Sequence, residues 1–263
     1  MEADGHSRMM TVCLCECLGT ALFIFGILGT NLPITIPFSL FASVCIWGDI
    51  TGGHFNPAVT LGVFTTLGNY GKNIGFMIMI IASQILGGML GVGFNWLGSF
   101  DRPDESVAVL APTNPLTGKP DNAANELDFS MDLQVCINEV MCTFIFISVI
   151  LMVKGQHTAG DKIGIGAAMF VCITLLCCIA STNKLGACFN PAVGIALTAN
   201  SIWKLGSQHY LYHYLYAYTL GPALGGLLAG LFHNIHKEAH KPDEQQYSAE
   251  HREGLIDKDD SNY

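Results

Sequence analysis

Six apolar stretches, at about residues 9 to 31, 34 to 51, 73 to 98, 131 to 153, 162 to 182 and 208 to 233, are each near the ~20 residues a helix needs to cross ~30 Å of hydrocarbon. This pattern constrains the chain more than any other feature, because in lipid the backbone N–H and C=O groups of such a run have to be paired inside the run itself, as a helix does. Composition agrees with it: 51% of the 263 residues are hydrophobic and 13% are charged, about half the charged share of an ordinary soluble domain. The expected class is an all-α membrane protein. No small-residue cleavage site follows the first stretch, and five more spans come after it, so it reads as a retained helix rather than a signal peptide.

The net charge of -9 sits mainly in the connector from Asp101 to Asp128 and in the tail from Glu238 to Asp260, outside the lipid, and implies no nucleic-acid partner. Arg8, Lys72, Lys154 and Lys162 fall on one side if six helices alternate with both termini on that side. The excess of basic residues in cytoplasmic loops then makes that side cytoplasmic. The connector, with Pro103, Pro112, Pro115 and Pro120, reads as an extracellular loop. All ten cysteines lie in or beside apolar spans and read as packing residues. None is grouped with histidines at zinc-ligand spacing, so no metal is expected.

The two halves echo one another. Each opens with an apolar span carrying one carboxylate, Glu16 in "CECLGTALFIFG" and Glu139 in "INEVMCTFIFIS". Each then repeats Phe-Asn-Pro-Ala-Val, at Phe55–Val59 and Phe189–Val193. Three spans per half is an odd number, so the second half lies upside down relative to the first, as in known transporters and channels. A carboxylate inside a membrane helix has to be paired or face a polar interior. The structural reading has Glu16 and Glu139 accepting N–H groups of irregular backbone near the boxes; the alternative is a proton-carrying pair in a coupled transporter.

Each box precedes a short apolar run. Pro57 and Pro191 suit the first helical position, where a missing N–H is harmless, and Asn56 and Asn190 suit the N-cap. About ten residues at 1.5 Å each give ~15 Å, so two such half-helices entering from opposite faces meet near the bilayer centre. Each N-terminus carries roughly half a positive charge. Together with the amide donors of Asn56 and Asn190, they favour a neutral molecule that accepts hydrogen bonds and repel a cation or hydrated proton.

On these residues the chain resembles the aquaporin (major intrinsic protein) family: the Asn-Pro-Ala boxes Asn56, Pro57, Ala58 and Asn190, Pro191, Ala192; Glu16 and Glu139; Gln84; His54; and "LGPALGG" with Gly221 and Pro222. The resemblance implies six transmembrane helices plus two re-entrant half-helices in an inverted three-plus-three repeat. It also implies a homotetramer with one pore per subunit, passing water or small uncharged solutes, with no cofactor and no catalysis. Residues 1–8 are then a cytoplasmic N-terminus and 9–233 the channel domain, with repeat one at 9–98, an extracellular connector at 99–130 and repeat two at 131–233. Residues 234–263 form a polar cytoplasmic tail, expected to be disordered. By distance from the boxes, the family's narrowest point falls on Ile36, Cys178, Ala187 and Val193. Water-selective members carry an arginine at the last position; its replacement by Val193 removes a donor and a charge and implies a wider, more apolar constriction. His54 is placed in the cytoplasmic vestibule by the same resemblance.

Three further features are weighed as structural. Asp49 reads as a solvated residue at the end of the second span. His209 and His213, a turn apart among tyrosines, read as an interfacial belt rather than a gate. The pairs Gly87 with Gly91, Gly221 with Gly225, and Gly226 with Gly230 read as close-packing surfaces. The leading functional reading is a passive channel for water and small uncharged solutes such as glycerol, urea, ammonia or hydrogen peroxide. The alternative is an aquaporin-fold scaffold or junction protein with little flux.

Overall fold

The computed structural model describes residues 2–29, 32–68, 70–98, 109–112, 129–155, 164–182, 185–207 and 209–240. Among these the chain forms α1 (Glu2–Leu28), α2 (Thr35–Thr51), α3 (Pro57–Thr66), α4 (Tyr70–Gly98), α5 (Phe129–Gly155), α6 (Ile165–Ser181), α7 (Pro191–Leu205), a short α8 (His209–Tyr212) that runs into a 3-10 turn at His213–Leu215, and α9 (Ala217–Ala239). The architecture is that expected: an all-α membrane fold of two three-helix halves, each with a half-helix.

By length and composition α1, α4, α5 and the 213–239 segment are long and apolar enough to cross a bilayer. At 17 residues each, α2 and α6 are at the short end of the spanning range. The surface is apolar where lipid would touch it, with Leu86, Phe170 and Leu231 each more than half exposed. Polar side chains lie inside, where Glu16, Gln84 and Glu139 are fully buried. This inverts the usual distribution of a soluble protein.

Within each half the first helix packs on the others, α1 on α2 and α4, α5 on α6 and α9. The halves interlock because α3 packs on α9 and α7 on α4, with α2 against α6. The helices approach closely at matched glycines. A Cβ at Gly91 would lie 2.6 Å from the Ala21 carbonyl oxygen, and one at Gly225 2.6 Å from that of Val140, so any side chain there would push α4 from α1 or α9 from α5.

Several expected boundaries move. The first helix starts at Glu2, so residues 2–8 are helical, while the apolar span within that helix is Ser7–Leu28. The last span is interrupted between Tyr212 and Ala217. The run from His209 to Tyr216 contains only histidine, tyrosine and leucine, mostly weaker helix formers, and outside contacts hold it instead. His213 Nε2 lies 2.9 Å from Asp132 Oδ1, and Tyr214 is buried. His213 is therefore tied to α5, while the His209 side chain lies outside the described residues. At the other end α9 runs on to Ala239, so residues 234–239 are helix and not tail; residues 241–263 lie outside the described residues. Of the connector only residues 109–112 are described, and Leu110 and Ala111 are buried there. Asp49 is exposed.

Candidate functional site

The two boxes meet at the centre of the fold. Asn56 and Asn190 have extended backbone (φ -159° and -154°) and cap α3 and α7, with Pro57 and Pro191 opening the helices. Asn56 Oδ1 accepts from the Ala58 N–H at 2.8 Å and Asn190 Oδ1 from the Ala192 N–H at 2.9 Å. Each amide then reaches across to the other box. Asn56 Nδ2 donates to the Phe189 carbonyl at 2.8 Å, and Asn190 Nδ2 donates to the Phe55 carbonyl at 2.9 Å. A carboxamide has two N–H donors. The second on each asparagine has no protein partner among the described residues, and both asparagines line the central cavity.

The acceptor carbonyls are aimed by a rare backbone. Phe55 and Phe189 have positive φ, 46° and 54°, a left-handed conformation disfavoured for bulky residues. Such strain persists where the surroundings over-determine it, and here they do. Both rings are buried, and a Cβ at Gly19 would collide with the Phe55 ring. The N–H groups beside them are taken by the two intramembrane acids. Glu16 accepts from the His54 amide (3.1 Å) and the Phe55 amide (2.7 Å). Glu139 accepts from the Cys188 amide (2.9 Å) and the Phe189 amide (2.8 Å). Both oxygens of each carboxylate are engaged in holding the box entry, the geometry of a structural acid.

The cavity passing the boxes has a volume of about 80 Å³, room for several water molecules. Its wall is largely apolar and repeats across the two halves. Phe23 and Ile27 follow Glu16 by seven and eleven residues, and Phe146 and Ile150 follow Glu139 by the same intervals. Val59 and Val193 both line it, three residues after each asparagine. Ile36 and Ala187 line it as well, and His54 lies at its edge with Nδ1 3.2 Å from Thr60 Oγ1.

Cys178 does not line the cavity. Its Sγ points to the Cys142 carbonyl oxygen on α5 at 3.6 Å, and the wall positions on α6 are Ala168, Val171, Leu175 and Ile179. The expectation rested on counting twelve residues back from Asn190 through a stretch that leaves helix at Thr182. A one-residue shift there turns an α-helix by about 100°, enough to exchange Cys178 for Ile179. Phe23, Phe146, Leu175, Ile179 and Thr60 were not singled out by the sequence reading. The equal spacing of the two phenylalanines from their glutamates was the signal available for that pair.

The family model for Major intrinsic protein matches residues 5–233. The chain belongs to the major intrinsic protein family. It is 28% identical over 233 residues to Aquaporin-1 of Rhizophagus irregularis, covering 81% of this chain and 75% of that one. To Aquaporin-8 of Rattus norvegicus it is 29% identical over 205 residues, covering 71% and 69%. Among solved structures it is similar to the aquaglyceroporin from Plasmodium falciparum, with a TM-score of 0.61 at 15% identity over 85% of this chain and 95% of that one, a likeness of fold. The major intrinsic proteins are channels rather than enzymes, and this chain is an integral membrane channel protein of that family.

Proposed function

We propose that the chain is a passive pathway for water, with small uncharged solutes (glycerol, urea, ammonia or hydrogen peroxide) as co-permeants, and that ions and protons are turned back where α3 and α7 meet. The observation that carries this reading is the reciprocal pair of bonds from Asn56 and Asn190 to the Phe189 and Phe55 carbonyls. They hold two helix N-termini and two spare amide donors at one point of the cavity. A neutral molecule accepts those donors and passes. A cation meets two partial positive charges in a low-dielectric wall that offers it few ligands.

The constriction in this reading is Ile36, Ile179, Ala187 and Val193. Without a guanidinium at Val193 the narrow point gains width and loses a fixed donor, which favours breadth among neutral solutes over strict selection for water. His54 stands at the cytoplasmic vestibule, with residues 9–233 as the channel domain, both termini cytoplasmic, and a homotetramer with one pathway per subunit as the assembly.

Stopped-flow light scattering on vesicles containing the purified protein tests this. Water permeability rises above that of empty vesicles with a low activation energy, and Val193→Arg suppresses glycerol and urea more than water. No rise for water or any of these solutes would defeat the reading; equal suppression of all three by Val193→Arg would remove the constriction from it.

A further inference from the structure

Behind the cavity wall lies a cluster of thiols that the pathway itself does not use. Cys142 on α5 and Cys178 on α6 are both buried. Cys178 Sγ points to the Cys142 carbonyl oxygen at 3.6 Å. Cys142 Sγ points to Asn138 Oδ1 at 3.7 Å and lies 3.6 Å from Ser181 Oγ. The amide nitrogen of Asn138 is buried with no partner. Each thiol adjoins the wall: Phe146 is one turn beyond Cys142 and Ile179 follows Cys178, and both line the cavity.

The two cysteines touch across neighbouring helices through the Cys142 carbonyl, and the polar groups around Cys142 suit a stepwise oxidation. We propose that Cys142 and Cys178 are a peroxide-oxidisable pair whose disulfide clamps α5 to α6 behind the cavity wall and lowers flow. In the first step the Cys142 sulfur attacks one peroxide oxygen. The O–O bond breaks, the distal oxygen leaves as water with the thiol proton, and a sulfenic acid remains. The unpartnered Nδ2 of Asn138 belongs to the same carboxamide whose Oδ1 faces the thiol, so a turn of that amide would let it donate to the new oxygen. In the second step the Cys178 sulfur attacks the Cys142 sulfur, the S–S bond forms, and the hydroxyl leaves as a second water with the Cys178 proton. The two cysteines lose two electrons and the peroxide gains them. An S–S bond of about 2.05 Å draws together two helices that both contribute wall residues.

The effect on flow rests on the channel reading above; the chemistry of the pair does not. The full chain in lipid vesicles is treated with hydrogen peroxide, denatured, and its alkylatable thiols are counted. The ten free cysteines fall by two, and the peptides bearing Cys142 and Cys178 are recovered joined and lighter by two hydrogens. Water permeability falls, and a dithiol reductant restores both. Cys142→Ser and Cys178→Ser each abolish the joined peptide and the fall in flow, whereas Cys45→Ser and Cys177→Ser, at exposed thiols, keep both. All ten thiols surviving, or the same response in Cys142→Ser, would overturn the proposal. A joined pair with unchanged flow would overturn the clamp. If the vesicles pass no water at all, the thiol count still decides the pair and the channel reading is what fails.

Discussion

At the first box Glu16 takes three hydrogen bonds, from the His54 and Phe55 amides and from Gln84 Nε2 at 2.8 Å; at the second, Glu139 takes two, from the Cys188 and Phe189 amides. The other nitrogen donor of Gln84 goes to Thr60 Oγ1 at 2.9 Å, and Thr60 touches His54. In the second half the corresponding positions are Tyr218, Gly194 and Cys188, counted from the shared glycines and asparagines. Tyr218 donates its hydroxyl to the Leu185 carbonyl at 2.9 Å, and a Cβ at Gly194 would lie 2.6 Å from the Tyr218 carbonyl oxygen. The Cys188 thiol turns to the Asn190 and Tyr218 carbonyls at 3.0 and 3.4 Å. The difference separates requirement from variation. A carboxylate for the two entry amides, an asparagine that caps one helix and reaches the other box, and a left-handed phenylalanine occur in both halves. What stands behind them is polar and branched in one half, packed and nearly apolar in the other.

The comparison breaks most visibly at the acids. Glu16→Ala strands three donors, two of them buried and the His54 amide part-buried, and Glu139→Ala two buried ones, at about 1–3 kcal/mol each. Both variants lose stability in detergent unfolding curves, and Glu16→Ala loses more by about 1–3 kcal/mol; equal losses would mean that the Gln84 arm contributes nothing. The asparagines come next, and there the halves behave alike. Asn56→Ala and Asn190→Ala each remove a cap worth about 1 kcal/mol and a cross-box bond worth about 1 kcal/mol. Their unfolding midpoints shift equally, and a clear inequality would show that one box holds the other. The smallest effects lie behind the boxes. Tyr218→Phe removes one bond, for about 1 kcal/mol, and leaves water permeability unchanged. Gln84→Leu costs somewhat more and alters permeability too, because Thr60 and His54 lose their support.

Much of this plan was legible in the residues. Long apolar runs, a repeated five-residue box and one buried acid per half carry their consequences in composition and spacing, since lipid punishes unpaired polar groups severely. The acids' role followed from the same rule. Less legible was anything set by phase or by contacts across elements. Counting back from Asn190 gave Cys178 where Ile179 faces the cavity, because the helix ends at Ser181 and the count runs on past it. The partner of His213 in the turn at His213–Leu215 is Asp132, 81 residues away. Nor did a ten-residue estimate foresee α7 extending for 15 residues while α3 stops at 10; α7 ends where Gly206 takes φ 80°, and nothing earlier in the run stops it. The left-handed phenylalanines were invisible too, since no propensity favours that conformation and the surrounding bonds impose it.

The central claim is that two opposed helix N-termini, tied by Asn56 and Asn190, pass neutral molecules and stop charge. It is tested most directly by recording osmotic water flux and proton leak on the same vesicles, one by light scattering and the other by a trapped pH-sensitive dye. The account predicts a clear rise in water permeability over empty vesicles with proton leak at the empty-vesicle level. A proton leak that rises together with water flux would contradict it.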